Sequence, residues 1–554
     1  MSDALEPTAA RLLVDRLIAE GVPRVFGVPG ESYLAILDAL HDEAARLPFI
    51  ACRHEAAAAN MAEATGKLSG LPGIAMVTRG PGTTHATIGL HTAHQDSTPM
   101  LLLIGQAARG MLDREAFQEI DYRRFLSEVT KWTGEVADAG RMDEYLHRAF
   151  RTALAGRQGP VALALPEDML KDRAARTEML RSPPASPHPA PEDVRATAAA
   201  LRSARRPLIV IGGGPWQATE ADALRIMAES QGFPIAASFR AQSLIDNDSP
   251  AYAGHLGFGP NPMLVTRMRE ADLVLAIGPR LGEVTTAGYS HLRPPVPAQR
   301  LIHVHAGAEE LGRVYAAERL VLAAPGAFAA ALAAEMGRGP VRGPHAAHEE
   351  ETAFRKPVRN PGRLQLGEVF ATMRRMLPDE TIVSNGAGNY AAFLHRFFVY
   401  KGFRTQLAPT SGAMGYGVPA GIAAALHRPE MPAVAVAGDG CFLMSAQELA
   451  TAVRHNARTL FLVVNNGMYG TIRMHQERDY PGRISGTDLV NPDFVAFARS
   501  FGLPAERVEE TEDFEPAFAR ALESGGPALI ELRPDPDAIS PTTSLTKLAA
   551  RAIS

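Results

Sequence analysis

Ten short apolar runs recur along the chain, and within each stretch they alternate with Gly- or Pro-bearing turns and longer helical patterns. They are Arg24–Val28, Ile74–Thr78, Met100–Gly105 and Val161–Leu165, then Leu208–Ile211, Leu273–Ile277 and Leu301–His305, then Ala433–Ala437, Leu460–Asn465 and Ala528–Leu532. A strand without a polar face must be covered on both sides, and strands alternating with helices pair in parallel. The reading is an α/β chain with three doubly wound parallel-sheet domains. Ligands of such sheets sit beyond the carboxyl ends of the strands, so the strand-end turns are where chemistry is sought.

Two stretches without apolar period separate the blocks. Arg181–Asp193 carries five prolines, and Gly337–Gly362 is rich in Gly, Pro, His and charge. Both read as exposed connections. The expected domains are residues 1–182, 192–338 and 362–554. The net charge of −5 lacks the basic surplus that nucleic acid or an anionic membrane demands. Two cysteines, Cys52 and Cys441, exclude a disulfide framework and a four-thiolate zinc site. No apolar run has membrane-spanning length, and the first residues lack a basic start and an apolar core, so the expected location is cytoplasmic.

Four strand-end clusters carry chemistry. Gly438-Asp439-Gly440 follows one strand, and Asn465-Asn466 ends the next, ahead of Gly467-Met468-Tyr469-Gly470. One right-handed crossover would set Asp439 beside Asn466, giving a hard-oxygen site suited to Mg²⁺ and phosphate. Cys52-Arg53-His54-Glu55 opens an alanine-rich helix. By itself Glu55 reads as a first-turn acid that complements the helix dipole. Gly80-Pro81-Gly82-Thr83-Thr84 is a tight turn into a helix bearing His85, His91 and His94, and Ser411–Gly417 has glycines around Met414, by default a core residue. On that helix His91 and His94 share a face.

Together these residues resemble the thiamine-diphosphate-dependent enzymes of the acetolactate synthase and 2-oxo-acid decarboxylase superfamily, from Gly21 to Arg533. The resemblance implies a pyrimidine-binding first domain, a central Rossmann-like domain and a diphosphate-binding third. It implies Asp439, Asn466 and the Met468 carbonyl as Mg²⁺ ligands, with Gly438 and Gly440 at the coenzyme. It makes Glu55 the catalytic glutamate, buried against apolar neighbours, whose bond to the pyrimidine N1′ favours the 4′-imino tautomer that takes the C2 proton. It sets Phe117 and Gln118 over the cofactor, Gly412 and Met414 where the coenzyme is bound and bent, and Gly388-Asn389-Tyr390 on the diphosphate. Gly30, Glu31, His94, Arg280 and His475 are implied at the substrate. The family's site joins two subunits, so a homodimer at minimum, and a homotetramer by expectation, is implied.

Three departures bear on substrate and second cofactor. His475 stands where biosynthetic acetolactate synthases carry a tryptophan that selects the larger acceptor, although Arg280 is kept. Gly212-Gly213-Gly214 leaves room for FAD without predicting it, because acidic residues that accompany it in flavin-bearing members are replaced by Leu281-Gly282-Glu283 and His303-Val304-His305. His303 and His305 lack a third metal ligand at suitable spacing. His54 has no adjacent histidine partner of the kind aldehyde-forming decarboxylases use. The expected activity is decarboxylation of a 2-oxo acid followed by ligation to a second carbonyl. Its alternatives are aldehyde release, a flavin or nicotinamide oxidoreductase, and a non-catalytic paralogue.

Overall fold

A computed structural model describes residues 6–177, 181–337, 339 and 346–553. It contains three six-stranded sheets in which every strand pair is parallel. The first comprises β1 (Val25–Gly27), β2 (Phe49–Ala51), β3 (Gly73–Val77), β4 (Met100–Gln106), β5 (Trp132–Glu135) and β6 (Pro160–Pro166), in the order β2-β1-β3-β4-β6-β5. The second comprises β7 (Pro207–Ile211), β8 (Ile235–Ala237), β9 (Tyr252–His255), β10 (Leu273–Ile277), β11 (Arg300–His305) and β12 (Arg319–Leu322). Its order, β12-β11-β10-β7-β8-β9, is that of dinucleotide-binding folds. The third comprises β13 (Val383–Asn385), β14 (Gln406–Leu407), β15 (Ala433–Gly438), β16 (Thr459–Val464), β17 (Ala505–Val508) and β18 (Ala528–Leu532). Its order, β14-β13-β15-β16-β18-β17, repeats that of the first sheet strand for strand.

The central strands are buried along their whole length, as in β4, β6, β10 and β16. In the first and third sheets the strand order reverses between the first and third strands, β1/β3 and β13/β15. Ligands of doubly wound sheets collect outside such a reversal. At these points lie the turns after Gly27 and Val77, and those after Asn385 and Gly438.

By compactness the chain forms two units. One contains the chain up to Ala185 with Pro409–Arg428 and Ser445–Ala457; the other contains Ser186–Ala408, Pro429–Met444 and the chain from Arg458 onward. The first unit therefore takes in two segments that fall, in chain order, between β14 and β15 and between β15 and β16, including the helix Gly417–His427.

The proline-rich stretch stays irregular until Pro191, where the helix Pro191–Ser203 starts. The second stretch is not wholly a linker. Residues 338 and 340–345 lie outside the described residues, but Ala346–Phe354 is a nine-residue helix with Ala347 and Glu351 buried. Its one large apolar side chain is Phe354, so no apolar stripe signalled it. No helix among the described residues is long and apolar enough to cross a membrane.

Candidate active site

In the first unit the site is built on the helix Glu55–Ser69, which follows β2 directly. His54 caps it by accepting the Ala56 N–H on Nδ1 at 3.1 Å. The two preceding N–H groups, of Arg53 and His54, donate at 3.0 Å to the carboxylate of Glu448. Glu448 is fully buried and also accepts from the Thr451 hydroxyl at 2.5 Å. Burial pushes its carboxyl up, against those hydrogen bonds. A carboxylate from the segment Ser445–Ala457 thus holds the start of this helix, a contact that nothing in the local pattern around Glu448 announces.

Glu55 is not enclosed by apolar neighbours alone. Its side chain is 13% exposed, and its Oε2 lies 2.9 Å from His85 Nδ1. His85 sits on the helix Pro81–Asp96, and its ring faces His54 at a centroid distance of 4.5 Å, tilted 32°. His54 does have a histidine partner, 31 residues away in the chain and therefore invisible to local inspection. Burial, then His85, lowers the His54 pKa while Glu55 opposes them. His54, Glu55 and His85 have ligand atoms within 4.8 Å of one another, the one group of three such residues among the described ones that could hold a metal ion. His91 is exposed and His94 half-buried on the same helix.

The loop with Phe117 and Gln118 lies on the Gly80 turn. Gly80 has φ +49°, and a Cβ there would stand 2.8 Å from the Gln118 carbonyl oxygen, so glycine is required twice over. Gln118 itself has φ +63°. Glu119 holds the loop by accepting the Asp113 and Ala116 N–H groups at 2.7 and 2.8 Å. Phe117 is 71% exposed, an apolar ring left in solvent. At the β1/β3 reversal Gly30 packs on Thr78, and Glu31 accepts from Arg79 at 3.3 Å.

Gly412 and Met414 lie in a segment fastened to the same helices by buried ions. Tyr416 donates to Glu63 at 2.6 Å, Lys67 bridges Glu63 at 3.1 Å and Asp96, and Asp96 accepts the Thr410 N–H at 2.6 Å. Gly412 is exposed with φ +68°, and Met414 is half-buried. Every member of the ionic group is paired, as buried charges must be.

In the second unit the register of β15 and β16 sets Gly438 opposite Val464, so Asp439 and Asn465 are neighbours at the sheet end. Asp439 is 2% exposed. It accepts from the N–H groups of Gly440 and Gly467 at 2.9 Å each and from Asn491 Nδ2 at 2.8 Å. Burial raises its carboxyl and these hydrogen bonds oppose the rise. Asn491, absent from the sequence reading, also donates to Asn465 Oδ1 at 3.0 Å, while its own buried Oδ1 has no donor among the described residues. Asn465 Nδ2 in turn donates to Glu531 at 2.7 Å. Asn466 Oδ1 accepts the Met468 N–H at 3.3 Å, and the Met468 carbonyl accepts the Gly470 N–H at 2.9 Å. Each of those oxygens keeps a second lone pair. This all-oxygen set, one carboxylate with amide and carbonyl oxygens, fits a hard cation such as Mg²⁺.

The helices Tyr390–Phe397, Asp439–Leu443 and Gly470–Asp479 begin at this edge, and none has a side-chain N-cap. Uncapped helix starts suit an anion. Asn389 braces two of them, donating to the Ile539 carbonyl at 3.0 Å and accepting from Thr471 at 2.9 Å. The Tyr390 ring packs against Gly388 and Gly438. Arg280 is half-buried just after β10. His475, on the helix Gly470–Asp479, has a buried Nδ1 without a partner among the described residues.

The remaining candidates have packing reasons. Gly213 has φ +57°, and a Cβ there would lie 2.2 Å from the Gly278 carbonyl, so this loop needs its glycine for strand contact. His303 Nε2 meets the Pro279 carbonyl at 2.9 Å, and His305 Nδ1 accepts the Gly307 N–H at 2.9 Å. Burial lowers His303 to about 4, which keeps it neutral.

Comparison with known proteins finds relatives over most of the chain. Family models for the N-terminal TPP binding domain, the central domain and the C-terminal TPP binding domain of thiamine pyrophosphate enzymes match residues 7–125, 194–332 and 386–532. The acetolactate synthase large subunit of Parasynechococcus marenigrum (strain WH8102) is 31% identical over 543 residues, covering 95% of this chain and 87% of that one. Acetolactate synthase of Bacillus subtilis (strain 168) is 29% identical over 546 residues, covering 95% and 93%. Acetolactate synthase isozyme 2 large subunit of Escherichia coli (strain K12) is 27% identical over 532 residues, covering 95% of each.

Proposed function

The chain belongs to the thiamine pyrophosphate enzymes, among the acetolactate-synthase-like members, and from that premise we propose that it decarboxylates a 2-oxo acid and joins the remaining acyl unit to a second carbonyl. Thiamine diphosphate, when bound, supplies the electron sink for loss of CO₂ and the acyl-anion equivalent for ligation. The residues of this chain bind it, orient it and handle its protons.

We assign the pyrimidine to residues 1–182, the diphosphate to 362–554, and a bracing role to the central sheet of 192–338. Asp439, Asn466 and the Met468 carbonyl would hold Mg²⁺ against the diphosphate, with Gly438, Gly440 and Gly388-Asn389-Tyr390 lining the approach to uncapped helix starts. Asn491 joins them as the residue that orients Asp439. Glu55 handles the proton at the pyrimidine N1′, its position fixed by Glu448 behind the helix start. Gly412 and Met414 shape the coenzyme, and Gln118, with Phe117, covers it. Gly30, Glu31, His94, Arg280 and His475 face the substrate, His475 making the acceptor pocket more polar than a tryptophan would. The coenzyme site draws on two subunits in this proposal, so the active form is at least a homodimer, by expectation a homotetramer.

The observation that carries the reading is the register of β15 and β16, which makes Asp439 and Asn465 neighbours beside the β13/β15 reversal, in a sheet whose order repeats that of the sheet whose β2 leads into Glu55. The test is Glu55→Gln. Turnover should fall by about 10²–10⁴, the range of general acid–base contributions, with coenzyme affinity nearly unchanged. Unchanged C2 hydrogen exchange in the bound coenzyme would return Glu55 to the role of a first-turn acid complementing the helix dipole.

One observation favours aldehyde release as a second reading. The His54–His85 pair sets two imidazoles together beside Glu55, where the sequence showed His54 without an adjacent histidine. Pyruvate alone, then pyruvate with an added aldehyde, separates the two. Acyloin or acetohydroxyacid products without marked preference for 2-oxobutyrate support ligation. Free acetaldehyde as the sole product in both would establish simple decarboxylation.

A further inference from the structure

We propose that His85 is a proton relay between solvent and Glu55, a positioning residue that sets the protonation of the catalytic carboxyl without itself touching the coenzyme. The inference rests on the assignment of Glu55 made above.

Across 2.9 Å, Glu55 Oε2 and His85 Nδ1 can be bonded only through one shared proton, carried by either atom. In the single chain the carboxylate is 13% exposed and the imidazole 52% exposed, so one end of the pair is sheltered and the other open. His54 is fixed differently. Its Nδ1 accepts the Ala56 N–H, which leaves that nitrogen unprotonated, and burial lowers its affinity for a second proton. His54 therefore presents a neutral ring to His85, stacked at 4.5 Å, and holds the relay ring in place without competing for its proton. The other titratable groups that act on this site are Tyr33 and Cys52, both of which feel Glu55, and Glu448 behind the helix start. None of them offers a second exposed imidazole.

The transfer balances without any co-reactant. A water-borne proton adds to His85 Nε2, the Nδ1 proton passes to Glu55 Oε2, and the imidazole is left neutral with its tautomer exchanged. The reverse sequence empties the carboxyl. Histidine is suited to this, because its ordinary affinity for protons lies near neutral pH and its two nitrogens face opposite ways.

The experiment uses the full-length, coenzyme-loaded enzyme with His85→Ala and His85→Asn. Both should lose turnover by roughly 10²-fold, near the lower end for a positioned acid–base group, while coenzyme affinity and KM barely change. Added imidazole should restore His85→Ala in proportion to its concentration, which a structural role would not produce. Asn keeps a hydrogen bond to Glu55 but cannot relay, so it should rescue nothing. In histidine-labelled, coenzyme-free protein, the ring-nitrogen signals of His85 should move on Glu55→Gln, reporting the shared proton with no turnover involved. Full activity in both His85 variants, or rescue by Asn and not by imidazole, would overturn the relay. Full activity in Glu55→Gln would instead overturn the reading of the site on which it stands.

Discussion

Replacing Glu351 by Gln should make the helix Ala346–Phe354 harder to open near pH 8 and leave it unchanged near pH 4.5. The Glu351 carboxyl is buried beside Asn261 Nδ2 at 3.0 Å and Arg355 Nε at 3.9 Å. Burial outweighs these partners and Arg396, and pushes the carboxyl from the ordinary 4.5 up to about 7. The folded helix therefore binds this proton more tightly than the opened one. Its contribution is complete below 4.5 and is lost as pH rises through about 7. At about 1.4 kcal/mol per pH unit, the loss amounts to about 3 kcal/mol. A chain with three sheets is a poor subject for one global melting curve. Native-state hydrogen exchange of this helix, corrected for intrinsic rates, reads the local opening directly. Between pH 4.5 and 8 the opening free energy of the parent should fall by about 3 kcal/mol relative to the glutamine variant. If the variant opened more readily at pH 8, Glu351 would be serving as the ionised partner of Arg355 and the argument from burial would be wrong.

Other perturbations address the site. Asp439→Asn keeps the shape and removes the one charge of the oxygen set, so Mg²⁺-dependent coenzyme binding should vanish in calorimetry while the fold persists. Asn491→Ala removes a donor to that carboxylate; a hydrogen bond to a charged group is worth about 1.5–3 kcal/mol, so coenzyme affinity should fall by roughly 10–100-fold. Glu448→Gln should expose the Arg53 and His54 amides to hydrogen exchange and slow turnover, with the diphosphate end of the site unaltered; unchanged protection there would mean that the helix start holds itself.

What could be read from the sequence follows from where the physics is local. Long buried strands such as Met100–Gln106 and Thr459–Val464 announce themselves because both faces are covered. Phe49–Ala51 and the two-residue Gln406–Leu407 are too short to show a pattern, and Trp132–Glu135 and Ala505–Val508 mix polar with apolar residues at sheet edges. Asp439 and Asn465-Asn466 were legible as a pair because a single crossover joins their strands. Asn491 is a lone amide in a polar loop, and its role exists only through contact with Asp439. The partnership of His54 with His85 and that of Arg53 with Glu448 are tertiary in the same sense, as is the burial that turns a polar stretch around Glu351 into a helix.

The hold of Glu448 on the backbone before Glu55 also sets an order of events during synthesis. Its acceptor is made 394 residues after the His54 N–H that it receives. A nascent chain that has delivered the whole first sheet still lacks the group that fixes the start of the Glu55–Ser69 helix, together with the tyrosine that satisfies Glu63. Contacts at such separation cannot help early folding, since the loop they close costs entropy before any contact repays it. The amino-terminal region should therefore wait on the ribosome in an incomplete state and finish only when residues 409–457 emerge. Severing the gene into separately expressed blocks would then yield a first piece with its strands in place and the start of the Glu55–Ser69 helix unmoored.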